Sequence, residues 1–202
     1  MKMTQTLLAA AIALVPMTAM AGGSIDAFYI DNEIDDGANK EDGDGFGFRG
    51  QAELGNGFSV TGLYQNSDVS GSGTTTDITE TRVGVSYLCV MNKQFSLTTN
   101  VETVQVDLTD SGLGVGLDGY SAGIRADLAI VDNLSAYAKV AYTDLGDVAG
   151  DDVNGAEYEV GALFSINKNL GAFVEYRIVD LDIDPNDELQ LDTLRVGGRY
   201  TF

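Results

Sequence analysis

The chain has 202 residues, with 31 Asp and Glu against 11 Lys and Arg, a formal net charge of −20 and no histidine. A pI near 4.1 excludes a nucleic-acid-binding surface, which has to be basic. The missing histidine removes the usual general base of hydrolytic mechanisms, and the single Cys89 excludes an intramolecular disulfide.

The chain opens with Met1 and Lys2, an apolar stretch from Leu7 to Val15, Pro16, and Ala19-Met20-Ala21 before Gly22-Gly23. A short positive region, an apolar core and a small-x-small site predict a secretory signal peptide over residues 1–21, cut after Ala21. The apolar run is far short of the roughly 20 residues that a membrane-spanning helix needs. Residues 22–202 then form one domain of charge −21, since Lys2 leaves with the leader. No second domain, linker or solenoid repeat is legible in it.

Period-two alternation between turn signals predicts ten strands: 24–31, 45–55, 58–66, 78–90, 94–106, 118–129, 134–143, 156–166, 170–181 and 190–202. Eight strands is the alternative count. The usual length of about ten residues suits a tilted strand crossing a bilayer. In the first strand, Phe28 and Ile30 oppose Ile25, Ala27 and Tyr29, so its lipid-facing parity stays open. Short turns at Gly55-Asn56-Gly57, Met91-Asn92-Lys93, Val131-Asp132-Asn133 and Asn167-Lys168-Asn169 alternate with long connections at 32–44, 67–77, 107–117, 144–155 and 182–189. The long connections are rich in Asp, Gly, Ser and Thr.

Charge position decides which face meets lipid. Arg49, Arg82, Arg125, Lys139, Arg177, Arg195 and Arg199 all fall on the parity opposite the apolar one of their strands. An Arg or Lys facing lipid near the midplane costs about 2–4 kcal/mol, which accounts for the segregation. A soluble barrel would also alternate, with its apolar residues inside. Aromatic placement favours the membrane: Phe58, Phe95, Phe164, Tyr200 and Phe202 lie near the short-turn ends, and Phe46, Tyr64, Tyr120, Tyr142, Tyr158 and Tyr176 toward the loop ends. Nearly all of them share the apolar parity, as two interfacial girdles require. Cys89 shares it too, as a small apolar side chain beside Val83, Val85 and Tyr87.

On the inward parity the seven basic residues meet Glu53, Glu80, Glu102, Asp127, Glu157, Glu159 and Glu175. The interior of a barrel of eight to ten strands is narrow enough for side chains to fill, and buried charges have to be paired. Two readings follow: a salt-bridged plug, or a narrow channel lined by the same charges. The acidic loops offer calcium-ligand candidates at Asp182, Asp184 and Asp187. No EF-hand spacing is met there, and a solvated acidic surface reads the same residues equally well.

Leader, alternating strands, unequal connections and the final strand ending in Tyr200 and Phe202 together resemble the small bacterial outer-membrane β-barrels of the OmpA/OmpX-like, porin-like kind. The resemblance implies an all-β, antiparallel, up-and-down transmembrane β-barrel in the outer membrane, with chain termini in the periplasm and long loops outside. It implies that Tyr200 and Phe202 act as an assembly signal for the barrel-assembly machinery, and that the partners are outer-membrane lipid and lipopolysaccharide. A monomer without cofactor or resident metal is expected. Outer-membrane proteases of the omptin type share the strand count but use Asp and His at the outer rim. This chain has no His, so no enzymatic role is expected, and a structural or surface-interaction role stands beside a small-solute channel.

Overall fold

The computed structural model describes residues 22–35, 40–71, 74–110, 113–148, 151–184 and 187–202. The leader and its cleavage site after Ala21 lie outside the described residues. Ten strands follow in chain order: β1 (Gly23–Asp35), β2 (Lys40–Gly55), β3 (Phe58–Gly71), β4 (Thr74–Met91), β5 (Phe95–Asp110), β6 (Leu113–Val131), β7 (Leu134–Val148), β8 (Asp151–Ser165), β9 (Leu170–Asp184) and β10 (Asp187–Thr201). Each pairs antiparallel with its chain neighbours, and β10 pairs with β1 to close the barrel. At the seam Ser24 stands opposite Thr201 and Asp26 opposite Arg199. Phe202 lies just past β10, where its N–H donates to the Gly23 carbonyl at 3.0 Å. Closure leaves no unpaired strand edge, the condition for a sheet in lipid.

The short turns are set by local chemistry. Gly55, Asn56 and Gly57 all have left-handed φ, at 88°, 54° and 83°, which two glycines and an asparagine tolerate. In two of the other turns an asparagine side chain closes the turn. Asn92 Oδ1 accepts from the N–H groups of Gln94 and Phe95 at 2.9 Å. Asn167 Oδ1 accepts from Asn169 and Leu170 at 2.9 and 3.0 Å in the same way.

The ten-strand count and the short turns agree with the sequence reading, but the long connections do not. At the loop end every strand runs three to five residues beyond its expected limit. Much of what reads as acidic loop is therefore paired strand. The physical reason is that the apolar parity inverts along every strand except β2, whose residues 40–45 carry no apolar side chain. In the lower part, apolar side chains point outward, such as Phe48, Ile124, Val140, Val174 and Val196, all about half exposed. In the upper part, apolar side chains point inward: Ile30, Val69, Ile78, Val104, Val153, Val179 and Leu181 are buried. Their outward neighbours there are polar, among them Asp31, Asp68, Asp77 and Asp182. Below the inversion the barrel is patterned for lipid, and above it for water. Strand β1 crosses the boundary within six residues. This explains its ambiguous alternation: Ile25 and Tyr29 are exposed on the outside, while Phe28 and Ile30 are buried inside.

The inversion coincides with the upper aromatic rim. Tyr29, Tyr120 and Tyr176 project outward and their hydroxyls bond Asp44, Asp144 and Asp192. Their rings lie against the apolar band and their polar tips reach the acidic surface above it. Opposite residues on β1 to β4 form a continuous row of aspartates there, with Asp31 facing Asp44, Asp44 facing Asp68 and Asp68 facing Asp77.

Candidate functional site: the barrel lumen

The lumen divides into three layers along the barrel axis. At the short-turn end is an open vestibule of about 680 Å³, reaching from the Gly55-Asn56-Gly57 turn up to Arg82, Arg177 and Arg195. A belt of ion pairs forms its floor. Beyond the belt, toward the long connections, Val104, Leu145, Val153, Val179 and Leu181 pack into a buried apolar cluster.

The ion-pair belt has two halves. In the first, Arg177 grips Glu80 with both terminal nitrogens, Nη1 at 2.9 Å and Nη2 at 3.1 Å, and Nη2 also donates to Glu157 at 3.1 Å. Arg82 bonds Glu80 and lies 2.8 Å from Glu157 and 3.4 Å from Glu102. Lys139 reaches Glu157 at 2.9 Å and Glu102 at 3.5 Å. Strands β4 and β9, which carry Glu80 and Arg177, are five places apart in the ten-strand ring. Their bond therefore spans the full width of the lumen.

The second half lies toward the seam. Asp26 accepts from Arg199 Nε and Nη2 at 2.7 and 2.8 Å and from Arg49 Nε at 2.9 Å. Arg49 Nη1 donates to Glu175 at 2.9 Å, and Arg195 and the Tyr137 hydroxyl donate to the same carboxylate. Glu159 stands 3.7 Å from Arg195. Gln65 joins the halves, accepting from Arg195 Nε at 3.1 Å and donating to Glu80 at 2.6 Å. Arg195, Glu157, Glu175 and Asp26 are almost completely buried, at 1 % exposure each.

One pair and one lone carboxylate sit apart from this belt. Arg125 makes a two-point bond to Asp127 on its own strand, and its Cζ lies over the Tyr137 ring, 3.6 Å from the centroid. The ring has room because residue 161 is glycine: a Cβ there would come within 2.5 Å of it. Glu53 stands exposed at the vestibule mouth and makes no ion pair among the described residues.

The belt thus gathers Arg49, Glu80, Arg82, Glu102, Lys139, Glu157, Glu159, Glu175, Arg177, Arg195 and Arg199. Three members escape a reading by parity and charge. Asp26 lies on the strand of ambiguous parity, and its alternation with Phe28 and Ile30 was the available signal. Gln65 and Tyr137 carry no charge. The apolar cluster was hidden because its members fall in or beside segments read as loops. Of the calcium candidates, Asp182 is exposed on the outer surface. Asp184 and Asp187 face each other across a hairpin, and their side chains lie outside the described residues. Among the described residues no group of three His, Cys, Asp or Glu side chains is assembled for a metal.

A closed antiparallel barrel with an apolar, aromatic-banded outside and a charged inside is an integral membrane β-barrel. The chain belongs to the outer membrane protein beta-barrel domain family, whose model matches residues 7–202. Over 188 residues it is 29% identical to the outer membrane porin PhoE of Salmonella typhimurium, covering 86% of this chain and 51% of that protein. The Escherichia coli PhoE porin is 28% identical over 81% of this chain and 48% of its own length. The chain spans about half the length of these curated relatives. Among solved structures, the translocator domain of the autotransporter NalP from Neisseria meningitidis superposes with a TM-score of 0.54 at 11% identity, covering 98% of this chain and 95% of that one. An outer membrane channel from Pseudomonas putida F1 gives 0.54 at 10% identity, covering 94% and 100%. At these identities the likeness is one of fold.

Proposed function

We propose that this chain is a closed outer-membrane barrel with a structural or surface-interaction role, catalysing no reaction. In this reading its termini and short turns face the periplasm, and its acidic strand extensions stand outside, meeting lipopolysaccharide and its bound cations. The observation that carries it is the Arg177–Glu80 pair, which bridges opposite walls beneath an apolar cluster. An ion crossing the barrel would have to break buried charge pairs and then shed its hydration in an apolar layer, each a cost of several kcal/mol. Delivery by the barrel-assembly machinery through Tyr200 and Phe202 completes the proposal.

Planar-bilayer recording tests it. The purified barrel is expected to insert without producing stable single-channel steps. Reproducible steps of fixed size would overturn the closed reading in favour of the second one, a narrow porin-like channel, toward which the PhoE relatives and the open vestibule point.

A further inference from the structure

Around the barrel, every strand pair but one joins chain neighbours, whose connection limits how far one strand can slide against the other. The β1–β10 pair has no connection, so its register rests on side chains. Alternation forbids a slip of one residue, which would turn the outer face of β1 into the lumen. It permits a slip of two, because every side chain then keeps its face. The outward pairs Ile25–Tyr200, Ala27–Gly198 and Tyr29–Val196 carry no charge and offer little resistance to such a slip.

The inward pairs resist it. Asp26 faces Arg199, and its carboxylate accepts a forked bond from Nε at 2.7 Å and Nη2 at 2.8 Å. A two-point bond of this kind fixes direction as well as distance. The next inward pair sets Phe28 against Gly197. Gly197 also faces Phe173 on β9, and the two rings meet edge to face over it, with centroids 6.1 Å apart. A Cβ on residue 197 would come within 2.6 Å of the Phe28 Cβ. A slip of two in one direction sets Phe28 against Arg195 and Asp26 against Gly197; in the other, Phe28 meets Arg199 and Asp26 meets Thr201. Either slip breaks the forked alignment and puts a side chain where the two rings need empty space.

We infer that Asp26–Arg199 and Phe28–Gly197 form a register lock at the seam: two adjacent inward pairs, one ionic and one steric, that select a single closed barrel when the first strand meets the last. The lock reaches β2 as well, since Asp26 also accepts from Arg49 Nε at 2.9 Å. One buried carboxylate thus ties β10, β1 and β2 together. The lock acts on closure, and it holds whether or not the closed barrel conducts.

Trapping the seam register tests it. Gly23 and Phe202 exchange both backbone hydrogen bonds, so the adjacent Ser24–Thr201 pair is of the close kind, with Cα atoms about 4.5 Å apart, a spacing that suits a disulfide. Ser24→Cys and Thr201→Cys are introduced together with Cys89→Ser, the chain is refolded from urea into lipid vesicles, and the seam is oxidised with copper–phenanthroline. The readout is the cross-linked share of the folded, heat-modifiable band. Asp26→Ala and Gly197→Ala should each lower that share about threefold or more, or abolish the folded band. Glu157→Gln is the control: it removes a carboxylate buried as deeply as Asp26 but carried on β8, away from the seam. It should lower stability and leave the cross-linked share of the folded band unchanged. An unchanged share in either seam variant, or a loss in Glu157→Gln as large as theirs, would overturn the lock.

Discussion

Gln65 donates to Glu80 at 2.6 Å while its carbonyl accepts from Arg195 Nε at 3.1 Å, so one neutral side chain connects the two halves of the charged belt. It is buried, at 6 % exposure, and lies between a carboxylate and a guanidinium. Both ends of its amide are therefore used with fixed polarity. Gln65→Leu should lower stability by about 1–3 kcal/mol, because it strands a donor on Arg195 and an acceptor on Glu80. Gln65→Glu keeps the Arg195 bond but sets a second carboxylate beside Glu80, and should cost more than Leu. Urea unfolding in lipid vesicles measures both, and a neutral outcome for Leu would mean that the belt halves stand independently.

The Arg177–Glu80 bond is the widest crossing in the lumen and its partners are more than nine-tenths buried. Arg177→Met leaves Glu80 and Glu157 each short of a cation, and should cost about 3–5 kcal/mol. The double replacement Glu80→Met with Arg177→Met should cost less than the sum of the single changes, with a coupling energy of about 1–3 kcal/mol. Strictly additive costs in the same unfolding assay would count against coupling. The double variant should also remain silent in the planar bilayer, because Val104, Val179 and Leu181 still close the lumen above it. Conductance appearing on loss of this one pair would show that the apolar layer does not seal.

Architecture was legible in this sequence because lipid imposes a simple rule. Arg and Lys are excluded from the outward face, so the parity of Arg125 or Arg199 assigns inside and outside for a whole strand. The rule stops where the bilayer stops. Past Tyr29 and Tyr176 water replaces lipid outside, the apolar side chains turn inward, and alternation continues with its sign reversed. A reading that holds one parity per strand sees Asp182 and Ile183 as loop, although Asp180 and Asp182 face the surface of β9 while Val179 and Leu181 are buried inside. Partner choice within the belt was not legible. Alternation places Glu157 on the inner wall, but the reach of Arg82 from β4 and Arg177 from β9 to the same carboxylate depends on barrel diameter and stagger. Asp26, which two arginines share, was obscured by the same inversion that obscured β1.

Inversion of parity makes a positional prediction on a single strand. Ile124 and Asp118 both point outward on β6, six residues apart, one below the aromatic residue Tyr120 and one above it. Ile124→Arg should cost about 2–4 kcal/mol in unfolding from lipid vesicles, the cost of a cation facing hydrocarbon. Asp118→Arg should leave the folded barrel intact, since its side chain meets water. Equal losses at the two sites would place the lipid boundary elsewhere.

Asp68 and Asp77 stand opposite each other on the outer face above the rim, with Asp44 on the other side of Asp68. Hydrogen bonding to Asp77, and then repulsion from its charge, raise the Asp68 carboxyl above its ordinary range. The folded state therefore holds the Asp68 proton more tightly than the unfolded chain does. By linkage this contribution to stability is fully present below the unfolded carboxylate range, near 3.9, and is lost as pH rises through the higher folded value. Once the Asp68 proton is lost, the facing carboxylates repel each other. Asp68→Asn keeps a hydrogen-bond donor facing Asp77 and removes the repulsion. The variant should unfold at a higher temperature than the parent at neutral pH, and the difference should shrink as pH falls through the carboxylate range. Divalent cations should stabilise the parent more than the variant, because they screen a row from which one charge has been removed. Thermal unfolding followed by heat-modifiable gel mobility, across pH and with or without magnesium, measures both differences, and a variant that melts below the parent at neutral pH would refute the repulsive row.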